Sequence, residues 1–148
     1  MTGWDLPAPH VLGLDVRPED IDAYAHVNNA VYLRWLDEAA WSHSTALGVP
    51  PAACIALRRG MVVYRIELDY LRAALAGDRV EIATWIVDWD RRLRCGRRFQ
   101  VVRGAGETLL RGHIDYVCMN LDTGRAARMP PAFVAAYGGA VREPAPPV

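Results

Sequence analysis

Lysine is missing from the 148-residue sequence, and all 17 basic residues are arginine. Without lysine the protein cannot form a lysine Schiff base or a P-loop phosphate site that depends on lysine. Cysteine is also scarce, because Cys54, Cys95 and Cys118 are widely spaced and contain no CxxC pair. This pattern predicts neither a disulfide framework nor a zinc site, and we interpret the three residues as buried or incidental thiols in a reducing compartment.

The chain also lacks long apolar runs and an excess of charge of either sign. No apolar stretch approaches the roughly 18 residues that a membrane span needs, and the first ten residues do not have the pattern of a signal peptide. The 17 basic and 17 acidic residues cancel, which argues against a nucleic-acid partner. We therefore predict a cytoplasmic protein that binds neither nucleic acid nor a membrane.

The residues that are present suffice for one hydrophobic core. Hydrophobic residues make up 52% of the chain, and its length suits a single domain. We place this domain at residues 1–141. The remaining residues, 142–148, contain three prolines and are predicted to be disordered.

Hydrophobic periodicity in the first third of the chain predicts a strand and a helix. The strand spans residues 11–16. The helix begins at Asn28 or Asn29, either of which can cap it, and runs to about Leu47. Gly48 suits the left-handed position that follows a helix. Apolar residues occur around most of the helix, so we expect it to be covered on most sides.

The second half of the chain has the two-residue alternation of β-strands. Residues 62–70 alternate most clearly, and further strands are predicted at 79–89, about 97–103 and 109–119. This order predicts an α+β fold in which an antiparallel sheet of about five strands wraps around one long central helix, since no other element is predicted to cover it. Such a sheet leaves an edge or a face exposed, which predicts self-association into at least a homodimer.

The segment before and within the predicted helix carries a motif. It reads DIDAYAHVNNAVY from Asp20 to Tyr32 and continues as RWLD from Arg34 to Asp37. This segment resembles the signature of the hotdog-fold acyl-CoA thioesterases of the 4-hydroxybenzoyl-CoA thioesterase type. The order of elements also matches that family from about residue 10 to about residue 137. The resemblance implies a hotdog fold and hydrolysis of an acyl-CoA thioester to a carboxylic acid and coenzyme A, without a metal or a bound cofactor.

The resemblance also implies roles for individual residues. Asp22 matches the family's catalytic aspartate, which acts either as a nucleophile or as the base that activates water. Asn29 matches the position whose backbone amide polarises the thioester carbonyl at the start of the helix. His26 and Asn28 are assigned supporting roles, and Asp20 is expected to cap the loop.

Two departures from the family pattern, and one alternative position for the carboxylate, bear on this assignment. Ala25 stands where most members have glycine, and a positive φ at this position would cost alanine about 1 kcal/mol. One branch of the family has histidine at the position of Asn29, so the mechanism of that branch is not transferred. Another branch places its catalytic carboxylate on the helix, where Asp37 and Glu38 are candidates. For these two we prefer pairing with an arginine such as Arg34.

Substrate contacts are predicted at arginines and at aromatic residues. Five arginines within eight residues could bind the phosphates of coenzyme A, although a solvated hairpin balanced by Asp88 and Asp90 explains them equally well. Aromatic residues on the helix and on the following strand could line an acyl pocket. The arginines are Arg91, Arg92, Arg94, Arg97 and Arg98, and the aromatic residues are Tyr32, Trp35, Tyr64 and Tyr70.

Two other functions are compatible with the same motif. A hotdog module could bind acyl-CoA as a sensor or carrier partner without hydrolysing it, and such a protein would not need a carboxylate at Asp22. A hotdog hydratase or dehydratase also uses an aspartate and a histidine, but within a different motif. For the thioesterase we expect a homodimer or a homotetramer with active sites at the subunit interface.

Overall fold

The computed structural model describes residues 3–142, which form an α+β fold with one five-stranded antiparallel sheet. The strand order is β1-β3-β4-β5-β2, so that β1 and β2 are the two edges. The elements are β1 (His10–Asp15), a short 3-10 helix (Pro18–Asp20), α1 (Asn29–Ala46), α2 (Pro51–Leu57), β2 (Arg59–Tyr70), β3 (Arg79–Val87), β4 (Arg94–Arg103), β5 (Glu107–Asn120) and α3 (Pro131–Gly138). Apart from Arg142, the predicted disordered tail lies outside the described residues.

The predicted helix and the five predicted strands are confirmed, with ends shifted by up to three residues, whereas α2 and α3 are absent from the prediction. In the sequence, Pro50 and Pro51 indicate only that the first helix cannot continue past Gly48. Proline is also favoured in the first turn of a helix, and Pro51 in fact begins α2. Helix α3 contributes Phe133 and Tyr137 to the core, so the prediction that no further element covers α1 is wrong.

Both termini of helix α1 lie where the sequence predicts. The side chain of Asn28 accepts a hydrogen bond from the N–H of Ala30 (2.9 Å) and thereby caps the first turn. Gly48 follows the helix with a φ of 93°, a conformation that glycine adopts without strain. One face of the helix packs against the sheet through buried side chains that include Trp35, Leu36 and Ala39.

The opposite face of α1 is open. Ala30, Arg34, Asp37 and Trp41 are exposed along it, although Trp41 is a large apolar side chain. The sheet of a single chain therefore covers this 18-residue helix on one side, and the expectation that it is covered on most sides is wrong for one chain.

The outer face of the sheet is partly covered by the N-terminal segment, residues 3–8. Leu6 packs against Ala83, Trp85 and Val87 in a second, smaller core cluster. The indole N–H of Trp85 donates to the carbonyl of Pro7 (3.0 Å). As a result β3 is buried on both faces, whereas β2 has exposed residues along most of its length.

The three cysteines are free thiols and are buried, as predicted. Among residues 3–142, no helix combines the length and the apolar character that crossing a bilayer requires.

A buried polar cluster joins α1 to the sheet. Arg97 on β4 is 4% exposed, and its guanidinium donates to Nδ1 of His43 (2.9 Å), to the hydroxyl of Ser44 (3.2 Å) and to the hydroxyl of Thr84 (3.3 Å). Because arginine can only donate, Nδ1 of His43 is an acceptor and the imidazole is neutral. Burial, together with the charge of Arg97, lowers the pKa of His43 to about 3.

Acid is expected to destabilise the protein through His43. The unfolded chain protonates this imidazole near its ordinary pKa of 6.5, and the folded protein only near 3. The unfolded state binds more protons between these values, so stability falls as the pH decreases through this window, by up to about 1.4 kcal/mol per pH unit. We expect the free energy of unfolding, measured with urea, to fall less between neutral and mildly acidic pH for His43→Gln than for the wild type. Equal losses would show that another group carries this dependence.

Candidate active site

The loop between the 3-10 helix and α1 is closed by its own backbone. Ile21 and Val27 form an antiparallel bridge. Within the bridge, the N–H of Asp22 donates to the carbonyl of His26 (2.9 Å), and the N–H of Ala25 donates to the carbonyl of Asp22 (3.0 Å). These bonds place Asp22 at a fixed position on a tight turn.

The carboxylate of Asp22 is oriented by one hydrogen bond and faces a cavity. Its Oδ1 accepts the N–H of Tyr24 (2.9 Å), an Asx-type contact that is common in turns. No hydrogen bond to Oδ2 is found within residues 3–142. Asp22 lines a cavity of about 200 Å³ together with His26, Asn29 and Tyr70. The side chain therefore lies at a cleft, with one oxygen available for chemistry.

The start of α1 forms another part of the same cavity. Asn29 is the first residue of the helix, and the first N–H groups of a helix have no acceptor within it. The carbonyl of Asn29 accepts the hydroxyl of Tyr70 at the end of β2 (2.9 Å). The structure thus brings Asp22, His26 and Asn29 together, while the side chain of Asn28 is used as the helix cap.

Asp20 has the structural role that the sequence predicts for it. Its side chain is 1% exposed and accepts the backbone N–H of Arg17 (2.9 Å) and the guanidinium of Arg34 (2.7 Å). Burial alone would raise the pKa of Asp20, but the hydrogen bonds from these two residues outweigh it and lower the pKa. Asp20 is therefore an ionised carboxylate that holds the loop to α1.

The four aromatic residues predicted to contact substrate fall into two pairs. Tyr32 and Tyr70 line the cavity of Asp22, with ring centroids 5.4 Å apart in an edge-to-face arrangement. The hydroxyl of Tyr32 accepts the N–H of Ala74 (2.8 Å), so it also fixes the cavity wall. Trp35 is 2% exposed in the core, and Tyr64 lies under the guanidinium of Arg94 at 5.7 Å from its ring centroid. Neither Trp35 nor Tyr64 lines this cavity.

The five predicted arginines do not form one surface. Arg97 is buried between β4 and α1, where a nucleotide at the surface cannot reach it, and the prediction is therefore wrong for Arg97. Arg98 lies beside the N-terminal segment, 4.0 Å from the carboxylate of Asp5.

The other three arginines, Arg91, Arg92 and Arg94, are exposed at the turn between β3 and β4. The carboxylate of Asp90 accepts the N–H groups of Arg92, Leu93 and Arg94 (2.8–3.0 Å) and so shapes this turn. The turn lies at the far end of the nine-residue strand β3 from the loop of Asp22, a distance of about 25 Å at 3.3 Å per residue. A single chain does not bring these arginines to Asp22.

The two carboxylates on α1 differ in their surroundings. Glu38 lies 3.8 Å from the guanidinium of Arg34, as predicted. Asp37 has no ion pair among the described residues, so the prediction of an arginine partner is wrong for Asp37. Burial raises the pKa of Asp37. Asp37 lines two cavities on the open side of α1, of about 80 and 370 Å³.

One group within residues 3–142 has the spacing of metal ligands. The side chains of Asp88, His113 and Asp115 bring their ligand atoms within 4.8 Å of one another. Nε2 of His113 lies 3.0 Å from Asp115 and 3.4 Å from Asp88, so direct contacts among the three account for the arrangement. His113 and Asp115 alternate along β5 with the core residue Ile114 and lie outside the cavity of Asp22. That the reaction needs neither a metal nor a cofactor stays a prediction.

Most of the chain is similar to known proteins. The family model described as the Thioesterase-like superfamily matches residues 16–137. Protein THEM6 of Danio rerio is 40% identical over 86 residues, which cover 58% of this chain and 42% of that protein. The long-chain acyl-CoA thioesterase FadM of Escherichia coli K12 is 29% identical over 116 residues, 76% of this chain and 85% of that protein. The match thus spans about two fifths of the THEM6 protein.

A solved structure shows the same fold. The 1,4-dihydroxy-2-naphthoyl-CoA thioesterase Slr0204 from Synechocystis superposes with a TM-score of 0.80 at 18% identity, over 88% of this chain and 96% of that chain. At this level of identity the similarity establishes the fold.

Ala25 is expected to destabilise the loop slightly. Its φ is 61°, so the condition under which alanine costs free energy at this position is met. Ala25→Gly should raise the free energy of unfolding by about 1 kcal/mol, because glycine adopts this conformation without a clash of Cβ. Ala23, in the same turn, has no positive φ, and Ala23→Gly should give no gain. If both variants behave alike in urea denaturation, the backbone at Ala25 is not strained.

Proposed function

Because the chain belongs to the Thioesterase-like superfamily, we propose that it is an acyl-CoA thioesterase, which hydrolyses a thioester to a carboxylic acid and coenzyme A. The observation that carries the proposal is that Asp22 and Asn29 line one cavity at the start of α1. Thioester hydrolysis needs a carboxylate near the carbonyl carbon and a donor for the developing oxyanion. Asp22 supplies the first and the start of α1 the second.

The finer assignments belong to the same proposal. A hotdog fold of the 4-hydroxybenzoyl-CoA thioesterase type, with α1 as its central helix, is supported by the motif from Asp20 to Tyr32 and by the order of the elements. The name of FadM, a long-chain acyl-CoA thioesterase, supports coenzyme A as the thiol carrier. The three free, buried thiols suit a reducing cytoplasm.

The reaction follows from the position of the two groups. Oδ1 of Asp22 is held by the N–H of Tyr24, which leaves Oδ2 to act. As a nucleophile, Oδ2 attacks the carbonyl carbon, the thiolate of coenzyme A leaves, and water hydrolyses the resulting mixed anhydride. As a base, the same oxygen takes a proton from the water that attacks the carbonyl carbon. The C–S bond of the tetrahedral intermediate then breaks, and the leaving thiolate of coenzyme A takes up the proton. In both routes the N–H of Asn29, at the positive end of the helix dipole, stabilises the oxyanion.

Removal of the Asp22 charge tests the proposal. In an assay of free thiol released from a panel of acyl-CoA thioesters, Asp22→Asn should lower kcat by about a hundredfold or more, because the amide is neither a nucleophile nor a base. Asp15→Asn, a change at an exposed carboxylate on β1, is the control and should keep wild-type turnover. Equal rates for wild type and Asp22→Asn would refute a catalytic Asp22. Binding of acyl-CoA without turnover by the wild type would favour the non-catalytic module.

We also propose that the chain forms a homodimer, or a homotetramer built from dimers, through the free edge of β2. This 12-residue strand lies at the edge of the sheet, where unpaired backbone groups favour pairing with another strand. Val63 and Ile66 on β2 are each 40% exposed, next to the open face of α1. A second copy would cover both surfaces.

Antiparallel pairing of two β2 strands would also complete the site. Tyr70, in the Asp22 cavity, ends β2, whereas Arg94 lies beside Val117, the partner of Val62 near its beginning. In an antiparallel pair of β2 strands, the beginning of the partner's strand, which lies near its Arg94, is therefore close to the end of the first chain's strand, which lies near Asp22. Arg91, Arg92 and Arg94 would then be available to the phosphates of coenzyme A, with the active site at the subunit interface.

The edge of β2 can be tested by a charge at Ile66. Ile66→Lys should convert the oligomer to monomers in multi-angle light scattering, because burying an unpaired charge in the interface is costly. Val11, 38% exposed on the opposite edge strand β1, provides the matched control, and Val11→Lys should leave the mass unchanged. A monomeric wild type, or a mass that changes with Val11→Lys alone, would contradict this interface.

A further inference from the structure

A small cavity lies beside the open face of α1, far along the helix from the loop of Asp22. Its volume is about 80 Å³. Most of its wall is apolar, formed by residues of α1, α2 and the sheet such as Ala40, Met61 and Val63. The wall also has polar side chains, among them the buried Arg97.

Arg97 has no anionic partner within the described part of the chain. Arg97 is 4% exposed, and the hydrogen-bond acceptors of its guanidinium are the side chains of His43, Ser44 and Thr84, all of them uncharged. Burial lowers the pKa of Arg97, but arginine starts so high that it stays protonated in proteins. Buried charges are normally paired, because an isolated one is strongly disfavoured.

The other titratable groups on this cavity do not balance the charge. Burial raises the pKa of Cys95 to about 12 and also raises the pKa of Cys54, Tyr116 and Tyr137. All four are therefore neutral at physiological pH. Asp37 is the carboxylate that lines the cavity, and it forms no ion pair with Arg97.

The groups behind Arg97 add no negative charge. His43 is neutral, and His10 stacks on it with ring centroids 4.8 Å apart. Burial, with a contribution from Arg97, lowers the pKa of His10 as well. Arg142 lies close enough to help lower the pKa of His43 and adds a second positive charge. The groups behind Arg97 are therefore neutral or positive, and Asp37 is the carboxylate among the described residues that line the cavity.

Arg97 lines the cavity, and its hydrogen bonds to His43, Ser44 and Thr84 all come from the two terminal nitrogens of the guanidinium. The N–H of Nε has no acceptor among residues 3–142. No fully enclosed side-chain nitrogen of the described residues lacks a hydrogen-bond partner, so Nε is not fully enclosed. Arg97 therefore offers a donor and a positive charge to whatever occupies the apolar cavity that it lines.

We propose that this cavity binds a carboxylate carried on a short apolar chain and that the carboxylate pairs with the guanidinium of Arg97. The volume suits an anionic end group with a few methylenes rather than a whole ligand. Two ligands share this chemistry: the acyl group of a thioester that ends in a second carboxylate, and the free acid that hydrolysis releases. The first ligand would specify the substrate class of the proposed thioesterase, so this part of the proposal rests on that function.

A second cavity connects the Arg97 cavity with the start of α1. This cavity, of about 370 Å³, shares Asp37, Val63 and Tyr116 with the Arg97 cavity and extends to Ala30. Ala30 follows Asn29, the proposed oxyanion donor. Asn29 and His43, which contacts Arg97, are separated along α1 by about 21 Å at 1.5 Å per residue. A long acyl chain can therefore lie along the open face of α1 with its thioester near Asn29 and its far end toward Arg97.

Binding to the intact wild-type protein gives the direct test, which does not depend on turnover. In isothermal titration calorimetry, hexanoate should bind at least about tenfold more tightly than hexanol, a difference of about 1.4 kcal/mol. Arg97→Met should abolish the preference. Arg79→Met, a change at an exposed arginine on β3, should keep it. Equal binding of the acid and the alcohol to the wild type would overturn the proposal, whether or not Arg97→Met folds.

Hydrolysis rates then identify the source of the carboxylate. If the terminal carboxylate of the substrate is bound, the chain must be long enough to reach from Asn29 to Arg97. The wild type should then have a higher kcat/KM for hexadecanedioyl-CoA than for hexadecanoyl-CoA, and Arg97→Met should reverse the order. If the released acid is bound, hexanoate should inhibit the wild type and should not inhibit Arg97→Met. Thioester hydrolysis with neither effect would leave the proposed function standing and refute this inference. Arg97-dependent binding of hexanoate without any hydrolysis would refute the function and support the carboxylate site.

Discussion

The ion pair between Asp20 and Arg34 ties the loop that carries Asp22 to the helix that carries Asn29. The guanidinium of Arg34 donates to the buried carboxylate of Asp20 at 2.7 Å, and the carbonyl of Asp20 accepts the N–H of Asn28 at 2.9 Å. Asp20 thus fixes both the helix cap and the start of the turn. The relation between the carboxylate of Asp22 and the first N–H groups of α1 depends on these contacts, because Asp22 itself makes only local bonds within its turn.

Two arginines that both hold α1 to its surroundings differ in charge balance. Arg34 is partly exposed and meets a carboxylate, so its role as a structural ion pair is complete. Arg97 is buried and meets only neutral acceptors. Its hydrogen bonds to His43 and Ser44 anchor the second half of α1, but they leave the charge without a counter-ion. Folding therefore accounts for the charge of Arg34, whereas the unbalanced charge of Arg97 is better explained by an anionic ligand.

Much of this arrangement could be predicted from the sequence, and Arg97 shows where the reasoning failed. The motif from Asp20 to Asn29 identifies the loop and the cap, and alternation identifies the strands. The same alternation places Arg97 in phase with Cys95, Phe99 and Val101, which are core residues of β4. Arg91 and Arg92 lie in the turn before β4, and on the strand Arg97 faces the side opposite to Arg94 and Arg98. Counting arginines within a window therefore conceals their different positions. Helix α2 was not predicted for another reason, because a proline in the sequence can mark either the end of one helix or the beginning of the next.

The open face of α1 and the free edge of β2 belong to one surface, and this adjacency connects the oligomer with the substrate. Val63 lines both the Arg97 cavity and the longer cavity that leads toward Asn29, and it also lies on the edge strand. A second copy that paired along β2 would therefore close the groove in which an acyl chain can lie. The length and polarity of the bound acyl group would then depend on side chains of both subunits, whereas the chemistry at Asp22 and Asn29 would depend on the loop and helix of one chain.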